Sequence, residues 1–192
     1  MSRNRFRQLV VALVAASFIL PTAALAATDE FRLVYFPHED ITSAFSNDWG
    51  DARSGGRSHL GTDIFGHKHS AVVAVADGFV TKMAESSRSG FHVRIEHRDG
   101  WESWYMHLNN DSLGTDDGSG GTGGAFPEDI EVGMFVAAGT VIGYVGDSGN
   151  AEGSSSHTHF ELHNGRAVNP YPYLADAYDR WIRVMQLADE VR

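Results

Sequence analysis

Apolar and polar residues alternate along much of the chain between Ala71 and Asn164, and glycine, asparagine and aspartate interrupt the alternation at intervals. A period of two marks strands with one face buried, and the interruptions mark turns. The run AVVAVADGFVTKMAE from Ala71 is strongly β, and FHVRIEHRDGWESWYMHL from Phe91 to Leu108 reads as two strands joined at Asp99-Gly100, a hairpin signal. IEVGMFVAAGTVIGYVGDSGN, from Ile130, predicts short strands broken by Gly133, Gly139, Gly143 and Gly146. In SSSHTHFELH, Ser154 to His163, a strand places His157, His159, Glu161 and His163 on one face. Phe31–Phe36 and Ile41–Phe45 read as short strands ahead of these, and Asn47–Ser58 as a loop. Two prolines in Asn169–Leu174 close the β region, and apolar residues at 174, 178, 181, 182, 185 and 188 predict an amphipathic helix over 174–191. Many short strands with one helix indicate a mainly β protein, an antiparallel barrel or sandwich.

Length changes this picture little: 192 residues with 42% hydrophobic composition suit one domain with a real core. The first residues change it more. Arg3, Arg5 and Arg7 precede an apolar run from Leu9 to Leu20 and the tripeptide Ala24-Leu25-Ala26, the pattern of a secretory signal cleaved after Ala26. Twelve apolar residues fall short of the ~20 that span a bilayer, so stable membrane insertion is not expected after cleavage. The expected organisation is signal peptide 1–26, N-terminal segment 27–40, one domain over 41–174 and a C-terminal helix over 175–192. The expected location is exported, periplasmic or cell-wall associated.

There is no cysteine, which excludes thiol catalysis and Cys-type zinc sites. Removing the three leader arginines leaves twelve Lys and Arg against 25 acids, a net of −13. Such a surface repels nucleic acid and anionic lipid, although a substrate meets the local field of a groove and not the net charge. Residues 114–124 hold six glycines in eleven positions and read as a flexible surface loop, with Asp116 and Asp117 solvated because the spacing of a calcium loop is missing.

Ten histidines carry the chemistry to be sorted. His38 and His92 stand alone, His97 precedes a turn, and His67 and His69 flank a lysine, which makes a poor metal site. His163 shares the parity of the SSSHTHFELH strand but lies ~13 Å along from His157, a rim position. His59 and Asp63, four apart in a β context, meet on one metal only if the chain bends between them, which Gly61 permits. His107 ends a strand after Trp104-Tyr105-Met106.

His59-Leu60-Gly61-Thr62-Asp63, Tyr105-Met106-His107-Leu108 and His157-Thr158-His159-Phe160-Glu161 resemble, in order, the motifs of the lysostaphin-type (LytM-type) zinc metallopeptidases. Ala74–Gly78 and Ile142–Gly146 resemble supporting phrases of that family, and the likeness covers roughly residues 41–174. It implies the duplicated-hybrid-motif barrel-sandwich fold and one Zn2+ per chain bound by His59, Asp63 and His159. His107 and His157 would be the catalytic imidazoles, and Glu161 a carboxylate that orients a ligating histidine. Which of the two imidazoles is the general base stays open, with His157 preferred because it lies two residues from a ligand. The function implied is secreted hydrolysis of peptidoglycan peptides, at stem cross-links or glycine-containing bridges. The alternative is a non-catalytic module of the same fold that activates a partner hydrolase, and a regulatory protein partner is left open. The hairpins of residues 130–150 also resemble lipoyl and biotin carriers, but the tip Gly146–Asn150 has no lysine to modify.

Overall fold

The structure, a computed structural model, describes residues 30–40 and 42–190. The leader and Ile41 of the second predicted strand lie outside the described residues. The chain is mainly β and antiparallel, with a long C-terminal helix. Its strands are β1 (Ala52–Arg53), β2 (Arg57–Ser58), β3 (Thr62–Phe65), β4 (Ala71–Val73), β5 (Gly78–Ser86), β6 (Gly90–Glu96), β7 (Trp101–Leu108), β8 (Phe135–Val136), β9 (Val141–Tyr144), β10 (His157–Asn164) and β11 (Ala167–Val168). A five-residue helix α1 (Gly121–Ala125) and the helix α2 (Tyr171–Glu190) complete the fold.

One seven-stranded sheet runs β11-β10-β7-β6-β5-β8, with β3 added beside β10, and β4-β9 and β1-β2 form separate two-stranded pairs. β10 is central because one of its edges meets β7 while the other is shared by β3 and β11. Its alternation sorts chemistry from packing. Thr158, Phe160 and Leu162 are sealed in the core, while His157, His159, Glu161 and His163 share the opposite face.

The N-terminal segment departs from expectation. Phe31–Phe36 forms no strand, and around Ala44 there is one isolated bridge, to Phe65. Phe31, Leu33 and Phe36 are nevertheless in the core, so apolar spacing there reflects anchoring by side chains and not a ladder. Within the predicted loop, β1 and β2 pair as a small hairpin. The helix begins at Tyr171, three residues before the predicted start, because Pro172 falls in the first turn, where its missing N–H costs nothing. Asn169 Oδ1 accepts the Tyr171 N–H at 3.0 Å. Leu174, Ala177, Tyr178 and Trp181 of α2 pack on the core, with Phe36 stacked on Trp181 at 5.9 Å.

The glycine-rich segment also differs from its expected form. Lys68 Nζ donates to Asp111 Oδ2 at 2.8 Å and Asp116 Oδ1 at 2.6 Å, and lies 2.8 Å from Asp147 Oδ1. Asp111 Oδ1 accepts the Gly118 N–H and Asp117 Oδ1 accepts those of Ser112 and Ser119. Ala125 and Phe126 then enter the core.

Candidate metal centre

His159 and Asp63 are direct cross-strand partners in the β10–β3 pair, so the ladder itself brings an imidazole and a carboxylate together on one face. His59 precedes β3 and reaches the same point through a bend at Gly61. A Cβ at Gly61 would lie 2.5 Å from the Phe160 carbonyl oxygen and 2.7 Å from His159 Nε2, so only glycine lets the two segments approach this closely. The three donor atoms form a triangle. His59 Nε2 stands 2.8 Å from His159 Nδ1 and 3.1 Å from Asp63 Oδ1, and His159 Nδ1 stands 2.9 Å from Asp63 Oδ1. Ligands at 2.0–2.1 Å around a tetrahedral zinc ion lie about 3.3 Å apart, so this triangle has nearly the size of one tetrahedral face. His59, Asp63 and His159 can therefore hold a metal ion.

The outer atoms of each residue are already engaged, which fixes the inner ones. His59 Nδ1 donates to the Asp48 carbonyl oxygen at 3.0 Å, and His159 Nε2 donates to Glu161 Oε1 at 3.0 Å. Each imidazole therefore turns its other nitrogen inward, the one at which a metal would take the place of a proton. Arg53 donates to Asp63 Oδ2 at 2.7 Å and leaves Oδ1 for the centre. The local field favours positive charge. Burial alone would lower His59, but Asp48 and Asp63 outweigh it and push the imidazole up to about 9. Burial alone would raise Glu161, but its bonds to His159 and His163 hold it down to about 2. A divalent cation meets the same preference.

Two further imidazoles stand beside the triangle. The His107 ring lies 5.2 Å from that of His157 and 6.1 Å from that of His159. Parity along β7 would send His107 into the core with Ser103 and Tyr105. Its backbone instead adopts φ 60, at the irregularity in the β6–β7 pairing, and the side chain turns to the groove. His107 Nδ1 donates to the Ser148 carbonyl oxygen and His157 Nδ1 to that of Ser155, each at 2.8 Å, so both present Nε2 as an acceptor. Burial, reinforced by His157 and His159 against the Ser148 contact, pulls His107 down to about 4, so it is neutral.

A groove of about 610 Å³ opens over these residues. None of its lining residues comes from 109–149, so the glycine-rich segment does not line it. The chain turns away after Leu108 because Asn109 bonds to Tyr144 and Asp111 to Lys68. Asp111, Asp116 and Asp147 are close enough to ligate a metal, but Lys68 already supplies their cation. His163 is more than a rim residue: it donates to Glu161 Oε2 at 2.7 Å and stacks on Trp104 at 4.0 Å. The remaining histidines are structural. His38 joins Ser43 to Thr158, His92 bonds to the Gly90 carbonyl, His97 bonds to Asp77 and Ser103, His67 meets Asp40, and His69 accepts the Gly114 N–H. Asp48 and Arg53 went unrecognised in the sequence because both lie in an aperiodic Gly- and Ser-rich stretch.

The sequence profile of Peptidase family M23 matches residues 57–119, a span that includes His59, Asp63 and His107. The chain is 30% identical over 150 residues to the L-Ala–D-Glu endopeptidase of Bacillus subtilis, a match covering 72% of this chain and 41% of that protein. It is 27% identical over 129 residues to lysostaphin of Staphylococcus simulans, covering 64% of this chain and 22% of the relative. The chain thus spans less than half the length of these curated relatives. Among solved structures, the catalytic domain of Staphylococcus simulans lysostaphin matches with a TM-score of 0.54 and 26% identity, over 69% of this chain and 92% of that one. LytU shares the fold with a TM-score of 0.55 at 23% identity, over 72% and 90%.

Proposed function

The chain carries a domain of peptidase family M23, and from that premise we propose that it is an exported zinc metalloendopeptidase that hydrolyses peptide bonds of bacterial peptidoglycan. The observation that carries this reading is the convergence of His59 Nε2, Asp63 Oδ1 and His159 Nδ1 within 3.1 Å, beside two imidazoles with bare Nε2 atoms. Two imidazoles and a carboxylate form a donor set suited to Zn2+, which supplies polarisation of a peptide carbonyl and lowers the pKa of water to about 7. His157 Nε2 or His107 Nε2 takes up the proton that the attacking water releases. The imidazolium so formed returns it to the leaving amine. We favour His157 as the base because β10 holds it two residues from His159. Asp48, Glu161 and Arg53 keep the three donors aimed inward.

The related L-Ala–D-Glu endopeptidase supports the choice of polymer, since bonds to D-glutamate belong to bacterial walls and not to ribosomal proteins. No helix among the described residues is long and apolar enough to cross a membrane, and the leader 1–26 supports export. The non-catalytic alternative has no observation in its favour, because all three donors are present and converge.

His159→Ala should abolish zinc uptake and muropeptide hydrolysis together. His107→Ala and His157→Ala should retain zinc, measured by elemental analysis, and lose about 100-fold or more in turnover. A zinc-loaded, fully active His159→Ala protein would overturn the ligand assignment, and near-normal rates in both other variants would overturn the mechanism.

A further inference from the structure

The groove carries the wrong charge for its molecule. The chain has a formal net charge of −10, yet Arg53, Arg57, Arg88 and Arg94 all line the groove. Arg53 is accounted for by Asp63. Among the described residues, Arg57, Arg88 and Arg94 have no carboxylate within ion-pair distance, although acids outnumber bases 25 to 15 in the chain. Arg57 bonds only to Ser54 next to it.

The three arginines stand on different walls. Arg57 belongs to β2. Arg88 lies in the β5–β6 turn, which is docked beside His107 by the His107 N–H to Ser89 carbonyl bond and by the Asn150 N–H to Arg88 carbonyl bond. Arg94 lies on the sheet floor in a transverse row that runs Glu161, Trp104, Arg94, Lys82 across β10, β7, β6 and β5. Its guanidinium is held 3.5 Å over the Trp104 ring, and its Nε is sealed from solvent with no hydrogen-bond partner. Stacking fixes the planar fork at low entropic cost and leaves its charge unneutralised. The lining acids are already partnered, Asp63 by Arg53 and Glu161 by His159 and His163, so Arg57, Arg88 and Arg94 leave the groove net positive, and such a cleft concentrates anionic ligands whatever the net charge outside.

We propose that Arg57, Arg88 and Arg94 form a carboxylate-recognition surface, so that the substrate is an acidic peptide with free carboxylates flanking the scissile bond and not a run of glycines. This rests on the peptidase reading above and narrows it. Planar, bidentate capture of carboxylate is the recognition for which arginine is suited, and neutral glycine peptides offer such groups only at a chain end.

The test uses the full zinc-loaded chain and three dye-labelled peptides: a stem-type peptide with free carboxylates, the same peptide with those groups as carboxamides, and pentaglycine. Binding is read by anisotropy and cleavage by mass spectrometry. The acidic peptide should bind and be cleaved roughly ten- to a hundredfold better than its carboxamide, the range expected for contacts to a charged group. Arg88→Gln and Arg94→Gln should each reduce that ratio. Arg88 is exposed and makes no side-chain contact that folding needs, so its variant serves even if loss of the Arg94–Trp104 stack unfolds the protein. Equal binding and cleavage of the acidic and carboxamide peptides would uphold the peptidase and overturn this inference, as would preferential capture of polyphosphate over the acidic peptide. Selective binding of the acidic peptide with no cleavage of any peptide would uphold the inference and overturn the peptidase.

Discussion

Glu161 lies between two imidazoles, and each of its oxygens has one N–H to accept, from His159 Nε2 at 3.0 Å and from His163 Nε2 at 2.7 Å. A glutamine of the same shape offers one oxygen where two are required and turns its amide N–H toward a ring N–H. Glu161→Gln should therefore weaken zinc binding by about 10–100-fold, as loss of an orienting partner does. Competition against a chelator measures it, and an unchanged affinity would show that the carboxylate orients nothing. The positions of Glu161, His157 and His159 were legible because a strand repeats every two residues. The position of His107 was not, since parity pairs it with Tyr105 and only its left-handed backbone, which no periodicity encodes, brings it to the groove. Asp48 and Arg53 escaped for a related reason: their partners are set by the β1–β2 hairpin and not by local spacing.

At the level of elements, strands β5, β6, β7 and β10 formed where the sequence pattern predicts strands, whereas segments ordered by tertiary contacts did not declare themselves. The glycine-rich stretch looks entropically free in composition, yet Lys68, fifty residues away in the chain, gathers it with Asp111, Asp116 and Asp147. His38 plays the same part for the N-terminal segment, bonding Ser43 Oγ and Thr158 Oγ1 at 2.9 Å each. Burial holds its imidazole down to about 3, with Asp40 opposing and His157 adding to the effect. The unfolded chain thus binds a proton below its ordinary value near 6.5 that the folded chain refuses. Stability from this group is complete above pH 6.5 and declines as pH falls toward 3, and His92 and His97, also lowered by burial, act in the same direction. His38→Gln should cost about 1–2 kcal/mol at pH 7 through its hydrogen bonds. At pH 4.5 the linkage of roughly 2–3 kcal/mol should outweigh that deficit, so the variant becomes the more stable protein by about 1 kcal/mol. Urea midpoints at the two pH values test this, and parallel acid losses in both proteins would remove His38 from the explanation.

For the molecule as a whole, a metal held at the pairing of β3 with β10, as proposed, would make ligand binding part of folding. Zinc at a thousandfold excess over its dissociation constant should add about 4 kcal/mol of stability. That corresponds to a rise of roughly 8–16 °C in Tm for a chain of this size. Calorimetry with and without chelator reads the shift, and His159→Ala should show none. The fold was legible as mainly β with a closing helix; the share of the sheet given to each strand was not, because register belongs to pairs of strands and not to either one.

The donors also stand far apart in time. His159 follows Asp63 by 96 residues and His59 by 100. A nascent chain that ends before β10 therefore carries two of the three donors and no centre at all. On the proposed reading, hydrolytic competence should arrive only once β10 has been synthesised, and a fragment truncated anywhere upstream of His157 should be inert without any inhibitor to keep it so.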